Sequence, residues 1–378
     1  MANKNLNAAK TAKKDEFYTQ MTDIERELQH YWKHFRDKVV LCNCDDPYES
    51  NFFKYFALRF NQLGLKKLIC TCYDGSPLMG SELSLFALDA EGNEKKVAYK
   101  VEISEVSDMN GDGAVDLSDV EYLIKNDKNV LSCLHGNGDF RSKECIELLK
   151  EADIVVTNPP FSLIREYIAQ LMEYDKKFLI LARTSMIHAY DIFPYFINNK
   201  IWIGYGYNLS LVYKSPYKNT EAANRKFVKG KGYNPDEYIK VPAIGWFTNL
   251  DHSKRHEEFD MVCRYIKEEY PKYETFDAID VDEVSKIPYD YAGIMGVPDT
   301  FIQYFNPEQF EIIGAETGEF AEKLGIQRIG EKWIADYRAA GGTGHYTANM
   351  KSLVIYKKGL PKKVFSRILI RNKNPKTL

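Results

Sequence analysis

The run Asn158-Pro159-Pro160-Phe161 contains the residue types that point most directly to chemistry. It follows a short apolar stretch, Ile154–Thr157, and precedes a segment with helical spacing. Proline fixes φ and has no N–H, so the turn is stiff and the Pro159 carbonyl is kept out of local helix pairing. The turn therefore presents two acceptors, the Asn158 side-chain oxygen and the Pro159 carbonyl oxygen, at the carboxyl end of a strand, where open α/β sheets bind ligands.

Two acceptors in this arrangement suit the exocyclic amine of adenine. That nitrogen is a poor nucleophile because its lone pair is delocalised into the ring, and holding both of its hydrogens localises the lone pair. The same contacts align the nitrogen with an electrophilic methyl group, so positioning and electrostatics supply the catalysis and no cysteine nucleophile is needed. Phe161 can stack on a base that has been flipped out of the duplex. We therefore predict methyl transfer from S-adenosylmethionine to adenine; the alternative is a turn that only leads into a helix. The predicted catalytic residues are Asn158, Pro159, Pro160 and Phe161.

Short apolar runs alternate with helical segments over the first 250 residues, and this alternation is typical of a parallel sheet with crossover helices. We predict an α/β fold with a mostly parallel seven-stranded sheet in residues 15–250, interrupted by insertions at 76–128 and 207–240. Residues 1–14 are predicted to be a flexible basic arm. After residue 251 the pattern becomes irregular and aromatic, which indicates a second lobe over 251–378 for recognition of the target.

Loops after the predicted strands are candidates for the cofactor site. The first strand leads to Asp45, Asp46 and Pro47, which can shape a turn for the methionine part of the cofactor although no Gly-rich loop is present. Asp74, at the end of the second strand, suits ribose hydroxyls. Asp139 can accept a hydrogen bond from the cofactor's adenine amine and Phe140 can stack on the ring; the alternative is a Gly-rich loop with a helix cap. The Thr19 hydroxyl, with nearby N–H groups at a helix entry, can bind the cofactor carboxylate.

These motifs and several longer stretches resemble the EcoRI-type adenine-specific DNA methyltransferases. The matching stretches are DEFYTQ (15–20), VVLCNCDDPYESNFFKYF (39–56), GLKKLI (64–69), GDFRS (138–142), DIVVTNPPFSLIREY (153–167), YDKKFLI (174–180), NKIWIG (199–204) and GVPDTFIQYFNPEQFEIIG (296–314). The resemblance implies a Rossmann-like class I methyltransferase fold, S-adenosylmethionine and a flipped adenine in duplex DNA. Residues 74–130 and 207–240 match poorly, so no target sequence is implied. The cofactor positions that it implies are Tyr18, Thr19, Asp45, Asp46, Pro47, Asp139 and Phe140.

Residues 108–119 follow the spacing of a calcium-binding loop, with oxygen ligands at loop positions 1, 3, 5, 9 and 12 and Gly at position 6. The segment resembles a dockerin-type half-hand, and its last ligand is Asp in place of a bidentate Glu, which weakens binding. A structural Ca²⁺ is one interpretation, and an Asp/Asn-rich surface turn is the other. The ligands would be Asp108, Asn110, Asp112, Ala114, Asp116 and Asp119.

Charge is unevenly distributed along the chain, although the net charge is only −3. Residues 350–378 contain nine basic residues and no Asp or Glu, which favours contact with double-stranded DNA, or else a solvated tail. We predict a monomeric, cytoplasmic protein of bacterial or phage origin, with no membrane span and with a restriction endonuclease as partner in the same system. The candidate phosphate contacts are Lys357, Lys358, Lys362, Lys363 and Arg371.

Three other functions remain open at this stage. Related Asn-Pro-Pro-aromatic turns also serve methyltransferases that act on RNA or on protein glutamine. The glycine-poor first loop is compatible with an inactive DNA-binding module that keeps the fold. A dockerin-like scaffold would depend on residues 108–119 alone and would need a secretion signal, which the first residues do not resemble.

Overall fold

The computed structural model describes residues 19–44, 50–73, 98–108, 116–126, 131–215, 221–316 and 318–376. The chain forms two compact units. Unit 1 contains the described residues up to Thr184 together with Trp202–Asp251, and unit 2 contains Ser185–Ile201 and the described residues from His252 onward. The predicted basic arm, residues 1–14, lies outside the described residues. The predicted domain division after residue 250 stays a prediction.

Unit 1 is built on one large mixed sheet. The order of its strands is β4-β3-β2-β1-β5-β6-β9-β7, and β8 pairs with β9 beside this path. The four central strands β2, β1, β5 and β6 are parallel. The strands are β1 (Val39–Cys42), β2 (Lys67–Thr71), β3 (Tyr99–Ile103), β4 (Leu131–Cys133), β5 (Ile154–Thr157), β6 (Lys177–Arg183), β7 (Trp202–Ile203), β8 (Leu209–Lys214) and β9 (Tyr238–Thr248).

The apolar runs of the sequence become the centre of this sheet. All four residues of β1 and all four of β5 are buried. Continuous apolar strands of this kind are typical of parallel sheets that are covered on both faces. Val40 pairs with Ile154 and Leu41 with Val155, so the carboxyl ends of β1 and β5 lie side by side.

The predicted seven-stranded, mostly parallel sheet is not confirmed, because the described part of this sheet has nine strands and its outer strands are antiparallel. β3 lies in the stretch 76–128, predicted as an insertion, and runs antiparallel to β2. β8 and the first three residues of β9 lie within 207–240, which was also predicted as an insertion, and the two strands are antiparallel. Each added strand pairs with a strand next to it along the chain, β3 with β2 and β8 with β9, and the local apolar pattern does not specify this antiparallel pairing.

Helices connect the strands of unit 1 and also occur in unit 2. The spacing of apolar residues predicts helices over 143–151, 162–173 and about 188–198. The first is confirmed as α5 (Lys143–Glu151), and the second begins two residues later than predicted, at Ile164. The predicted helix 188–198 shortens to α7, which belongs to unit 2. The helices are α1 (Met21–Leu28), α2 (Asn51–Leu58), α3 (Phe60–Leu63), α4 (Leu117–Asn126), α5 (Lys143–Glu151), α6 (Ile164–Glu173), α7 (Phe193–Ile197), α8 (Ala222–Gly230), α9 (Gly318–Lys323) and α10 (Glu331–Ala339).

Unit 2 has a four-stranded sheet of order β10-β11-β15-β12 and a separate β13–β14 hairpin. Its core contains a buried ion pair in which Arg367 Nε donates to Asp280 Oδ1 at 2.8 Å. Tyr273 Oη donates to the same carboxylate oxygen at 2.7 Å. The strands are β10 (Ile279–Asp280), β11 (Ile294–Pro298), β12 (Phe310–Ala315), β13 (Val354–Lys357), β14 (Leu360–Lys363) and β15 (Arg367–Asn372).

Within the part of the chain that the structure describes, every helix is too short or too polar to cross a lipid bilayer.

Candidate active site

The ends of β1 and β5 are joined by hydrogen bonds between buried side chains. The Thr157 hydroxyl donates to the backbone carbonyl of Asn43, the residue that follows β1. The Tyr167 hydroxyl, from the inner face of α6, donates to the Asn43 side-chain oxygen. All three residues are buried. This cluster fixes Thr157 against the first residue of the loop that was predicted to bind the cofactor. Thr157 directly precedes Asn158-Pro159-Pro160-Phe161, which we call the adenine motif after its predicted substrate.

The adenine motif itself forms the expected turn at the tip of β5. Asn158, Pro159 and Pro160 are buried, and Phe161 is partly buried against the core of unit 1. The Pro160 carbonyl accepts a hydrogen bond from Leu163 N at 3.0 Å and so begins the turn into α6. Within the described residues no backbone N–H donates to the Pro159 carbonyl, which agrees with the predicted stiffness of the turn.

Asp139 and Phe140 are held by Arg141 and by α6. The Arg141 guanidinium donates to both carboxylate oxygens of Asp139, at 2.9 Å and 2.7 Å, and to Glu166 at 2.8 Å. The hydrogen bonds from Arg141 lower the pKa of Asp139, so this carboxylate is ionised at neutral pH. The Phe140 ring meets the edge of Tyr167 at 5.0 Å between centroids and lies under the Arg141 guanidinium at 5.2 Å. Neighbouring side chains thus hold both residues that are predicted to contact the adenine of the cofactor, Asp139 and Phe140.

Gly138 brings this loop against the end of β2. Its φ is +75°, and a Cβ at this position would lie 2.0 Å from the Cys72 carbonyl oxygen and 2.9 Å from the Ala98 Cβ. Only glycine allows so close an approach of two backbone segments. The loop that contains Asp139 and Phe140 is therefore packed beside the strand end that precedes Asp74.

Much of the predicted cofactor site lies outside the described residues: Tyr18, Asp45, Asp46, Pro47 and Asp74. Thr19 is described and buried, and its carbonyl accepts a hydrogen bond from Asn51 Nδ2 at 2.7 Å. Its Oγ1 is also buried, and no hydrogen-bond partner occurs among the described residues. A buried hydroxyl without a partner is costly, so Thr19 suits the predicted role of a donor to a ligand.

The calcium interpretation is not supported. Asn110, Asp112 and Ala114 lie outside the described residues, and Asp108 is described beside them. Asp116 accepts hydrogen bonds from the N–H and hydroxyl of Ser118, while Asp119 accepts one from Asp116 N at 2.8 Å. These contacts cap α4, and capping alone accounts for acidic residues at a helix start. The described residues contain no group of three or more His, Cys, Asp or Glu that could hold a metal ion.

The predicted phosphate contacts all lie in unit 2, where they differ in their partners. Lys357 Nζ pairs with Asp282 at 2.9 Å, and Arg371 pairs with Glu311 at 3.1 Å. Lys358, Lys362 and Lys363 are exposed on the β13–β14 hairpin. Two of the five predicted contacts are therefore already neutralised by a carboxylate, and three are not paired with one among the described residues.

Sequence reasoning missed Asn43, Tyr167 and Arg141 as parts of the site. Tyr167 shares the buried face of α6 with Ile164, Ile168 and Leu171, and a hydroxyl on an otherwise apolar helix face needs a buried acceptor. That signal indicates a partner for Tyr167 but not its identity. Asn43 is 124 residues distant in sequence, and only the parallel pairing of β1 and β5 brings it close.

Comparison with known proteins gives a consistent result over nearly the whole chain. The family model described as "Adenine-specific methyltransferase EcoRI" matches residues 5–373. The chain is 45% identical over 331 residues to the Type II methyltransferase M.EcoRI of Escherichia coli, covering 86% of this chain and 93% of that protein. It is 38% identical to the Type II methyltransferase M.MpnI of Mycoplasma pneumoniae, covering 84% and 87%. No solved structure matches the chain significantly.

Proposed function

The chain belongs to the family of EcoRI adenine-specific DNA methyltransferases, and on that premise we propose that Asn158 and Pro159 hold the target adenine amine during methyl transfer. S-adenosylmethionine supplies the electrophilic methyl group. The Asn158 side-chain oxygen and the Pro159 carbonyl accept the two hydrogens of the exocyclic amine, which localises the nitrogen lone pair and directs it along the transfer axis. The stiff turn at the tip of β5 sets the direction of both acceptors.

One observation carries this proposal: the buried cluster of Thr157, Asn43 and Tyr167 joins the adenine motif to the first loop after β1. Direct transfer needs the amine and the methyl donor within near-attack distance, and a rigid link between their binding segments supplies that positioning. Phe161, which is partly buried, would stack on an adenine flipped out of the duplex. The proposed reaction has no covalent enzyme intermediate.

The residues present fit S-adenosylmethionine. Asp139 is ionised, and a carboxylate has about four lone-pair sites, so it can accept a hydrogen bond from the adenine amine of the cofactor beside those from Arg141. The fixed ring of Phe140 can stack on the same adenine. Thr19 would donate its hydroxyl to the cofactor carboxylate. Tyr18, Asp45, Asp46, Pro47 and Asp74 would complete the site, and these assignments rest on the sequence.

We further propose a class I methyltransferase fold for unit 1 and target recognition for unit 2. The four central parallel strands with their connecting helices support the first proposal. The exposed lysines of unit 2 support the second, because neutralising phosphates is a major source of affinity for DNA. A cognate restriction endonuclease, a monomeric state and a cytoplasmic location are further proposals, and they rest on the sequence.

Substitution of Asn158 tests the proposed function. Asn158→Ala should lower the rate of methyl transfer to DNA by at least about a hundredfold, because one of two acceptors for the amine is lost. Binding of S-adenosylmethionine, measured by calorimetry, should stay within about twofold because the cofactor site is intact. Methylation-aware sequencing of DNA from cells that express the native or the substituted protein would identify the modified adenine. Native-level methylation by Asn158→Ala would refute the assignment.

A further inference from the structure

The β13–β14 hairpin is a small two-stranded sheet with a tight turn at Lys358 and Gly359, whose φ angles are +54° and +76°. Positive φ at both central residues is the backbone of a type I′ turn, which keeps the two strands twisted and closely paired. Val354 and Ile355 of β13 are buried in unit 2, so this strand anchors the hairpin. Among the described residues β14 pairs with β13 alone and forms the outer strand.

Most basic side chains near the end of the chain have partners, but three on the hairpin and its turn do not. Lys351, Lys357, Arg367 and Arg371 form ion pairs with carboxylates. Lys373 donates to the Pro307 carbonyl and Lys376 lies over the Tyr289 ring. Among the described residues, the cations of this region without such a partner are those of Lys358, Lys362 and Lys363, and all three belong to the hairpin and its turn.

Phe365 lies two residues after the end of β14, and 79% of its surface is exposed. Its two flanks are fixed: Val364 is buried, and the buried Arg367 donates to the Phe365 carbonyl at 3.3 Å. The backbone on both sides of Phe365 is therefore fixed, and the ring projects into solvent. Leu360, the first residue of β14, is 63% exposed. Large apolar side chains next to unpaired cations are typical of surfaces that bind nucleic acid, where phosphates take the cations and bases take the aromatic ring.

We propose that this basic hairpin, residues 354–366, docks on duplex DNA, with Lys358, Lys362 and Lys363 on phosphates and Phe365 stacked or wedged against a base. The inference rests on the proposed function in taking DNA as the partner, and it adds an aromatic contact to the lysines. A second copy of the chain is a poorer occupant, because two hairpins with three unpaired lysines each would repel one another. An apolar wedge of this kind can unstack a base step and help extrude a base.

The test measures binding of a fluorescein-labelled DNA duplex by anisotropy over a range of salt concentrations. Phe365→Ala should weaken binding about tenfold with an unchanged salt slope, and Phe365→Trp should retain binding, because stacking is independent of ions. Lys362→Gln with Lys363→Gln should weaken binding and reduce the slope of log K against log salt by about 2. Val262→Ala is the matched control, because Val262 lies in the same unit and is also 79% exposed.

The proposal would be overturned if both the Phe365→Ala protein and the double lysine variant bound the DNA duplex with the affinity of the native protein. Light scattering that shows Phe365→Ala dissociating a dimer while its affinity for DNA stays native would overturn it too, since a second copy would then occupy the hairpin. Methylation by the native protein separates this inference from the proposed function: if the native protein methylates DNA and the variants bind as it does, only the hairpin assignment fails.

Discussion

The Tyr167 hydroxyl donates a hydrogen bond to the side-chain oxygen of Asn43, and so ties the helix after the adenine motif to the end of the first strand. The same tyrosine presents its edge to Phe140. One buried side chain thus contacts two segments predicted to bind the cofactor and lies on the helix that follows the turn proposed to be catalytic. We expect Tyr167 to act as a positioning residue.

Tyr167→Phe keeps the ring and removes the hydroxyl. It leaves the buried Asn43 oxygen without this donor, which should lower the free energy of unfolding by about 1–3 kcal/mol. The turnover rate should fall about tenfold while KM for DNA is unchanged. Loss of the hydrogen bond displaces the turn relative to the cofactor loop, and such a displacement affects methyl transfer more than DNA binding. Tyr174→Phe, at the end of the same helix, is the control. A native kcat in the Tyr167→Phe protein would contradict the positioning role.

Gly138→Ala should displace the loop that holds Asp139 and Phe140. The added Cβ would meet the Cys72 carbonyl at 2.0 Å, at a φ that alanine adopts only with strain. We expect the dissociation constant of S-adenosylmethionine to rise at least about tenfold by calorimetry, which is roughly 1.4 kcal/mol. Gly136→Ala, two residues earlier, is the matched control, since its Cβ would have 3.9 Å to the nearest atom. Equal cofactor affinities in the two variants would argue against the loop's role.

Glu316 makes the stability of unit 2 depend on pH. Burial raises the pKa of Glu316 to about 7 from 4.5, although Ser352 and Leu353 N donate hydrogen bonds to it. Between pH 4.5 and about pH 7 the folded protein therefore keeps a proton that the unfolded chain has lost. The contribution of this proton to the free energy of unfolding is complete below pH 4.5, declines as the pH rises, and is absent above about pH 7.

Glu316→Gln stays neutral and should remove this dependence. At pH 8 the variant should exceed the native protein in free energy of unfolding by up to about 3 kcal/mol, and near pH 4 the two should be equal. Urea unfolding at several pH values measures the difference. A constant difference between the two proteins at every pH would mean that Glu316 does not titrate in this range.

Arg367 neutralises a buried carboxylate in the core of unit 2. The side chains of Arg367 and Asp280 are 5% and 4% exposed, so Arg367→Met leaves a buried charge without its partner and should cost about 3–5 kcal/mol. Adding Asp280→Asn should restore much of that loss because the lone charge disappears. Arg371→Met, on the same strand, breaks an exposed pair with Glu311 and should cost at most about 1 kcal/mol. Similar losses from both single substitutions, measured by urea unfolding, would exclude this account.

The sequence alone determined the local elements near the candidate site and predicted the chemistry of that site. The apolar run Ile154–Thr157 and the helix Lys143–Glu151 have the bounds that were predicted. Asn158 and Pro159 indicated an amine as the acceptor, since residue types and a rigid turn are properties of adjacent residues. Matches spread along the chain indicated the family, which the comparisons confirm.

The tertiary structure decided what distant residues do to one another. It placed β3 antiparallel beside β2, paired Asn43 with Tyr167 across 124 residues, and occupied both oxygens of Asp139 with Arg141. It also decided that a carboxylate neutralises Lys357 of the β13–β14 hairpin, whereas none of the described carboxylates pairs with Lys362 and Lys363. Hydrogen bonds and ion pairs between remote residues depend on strand order and packing, which local sequence patterns do not specify.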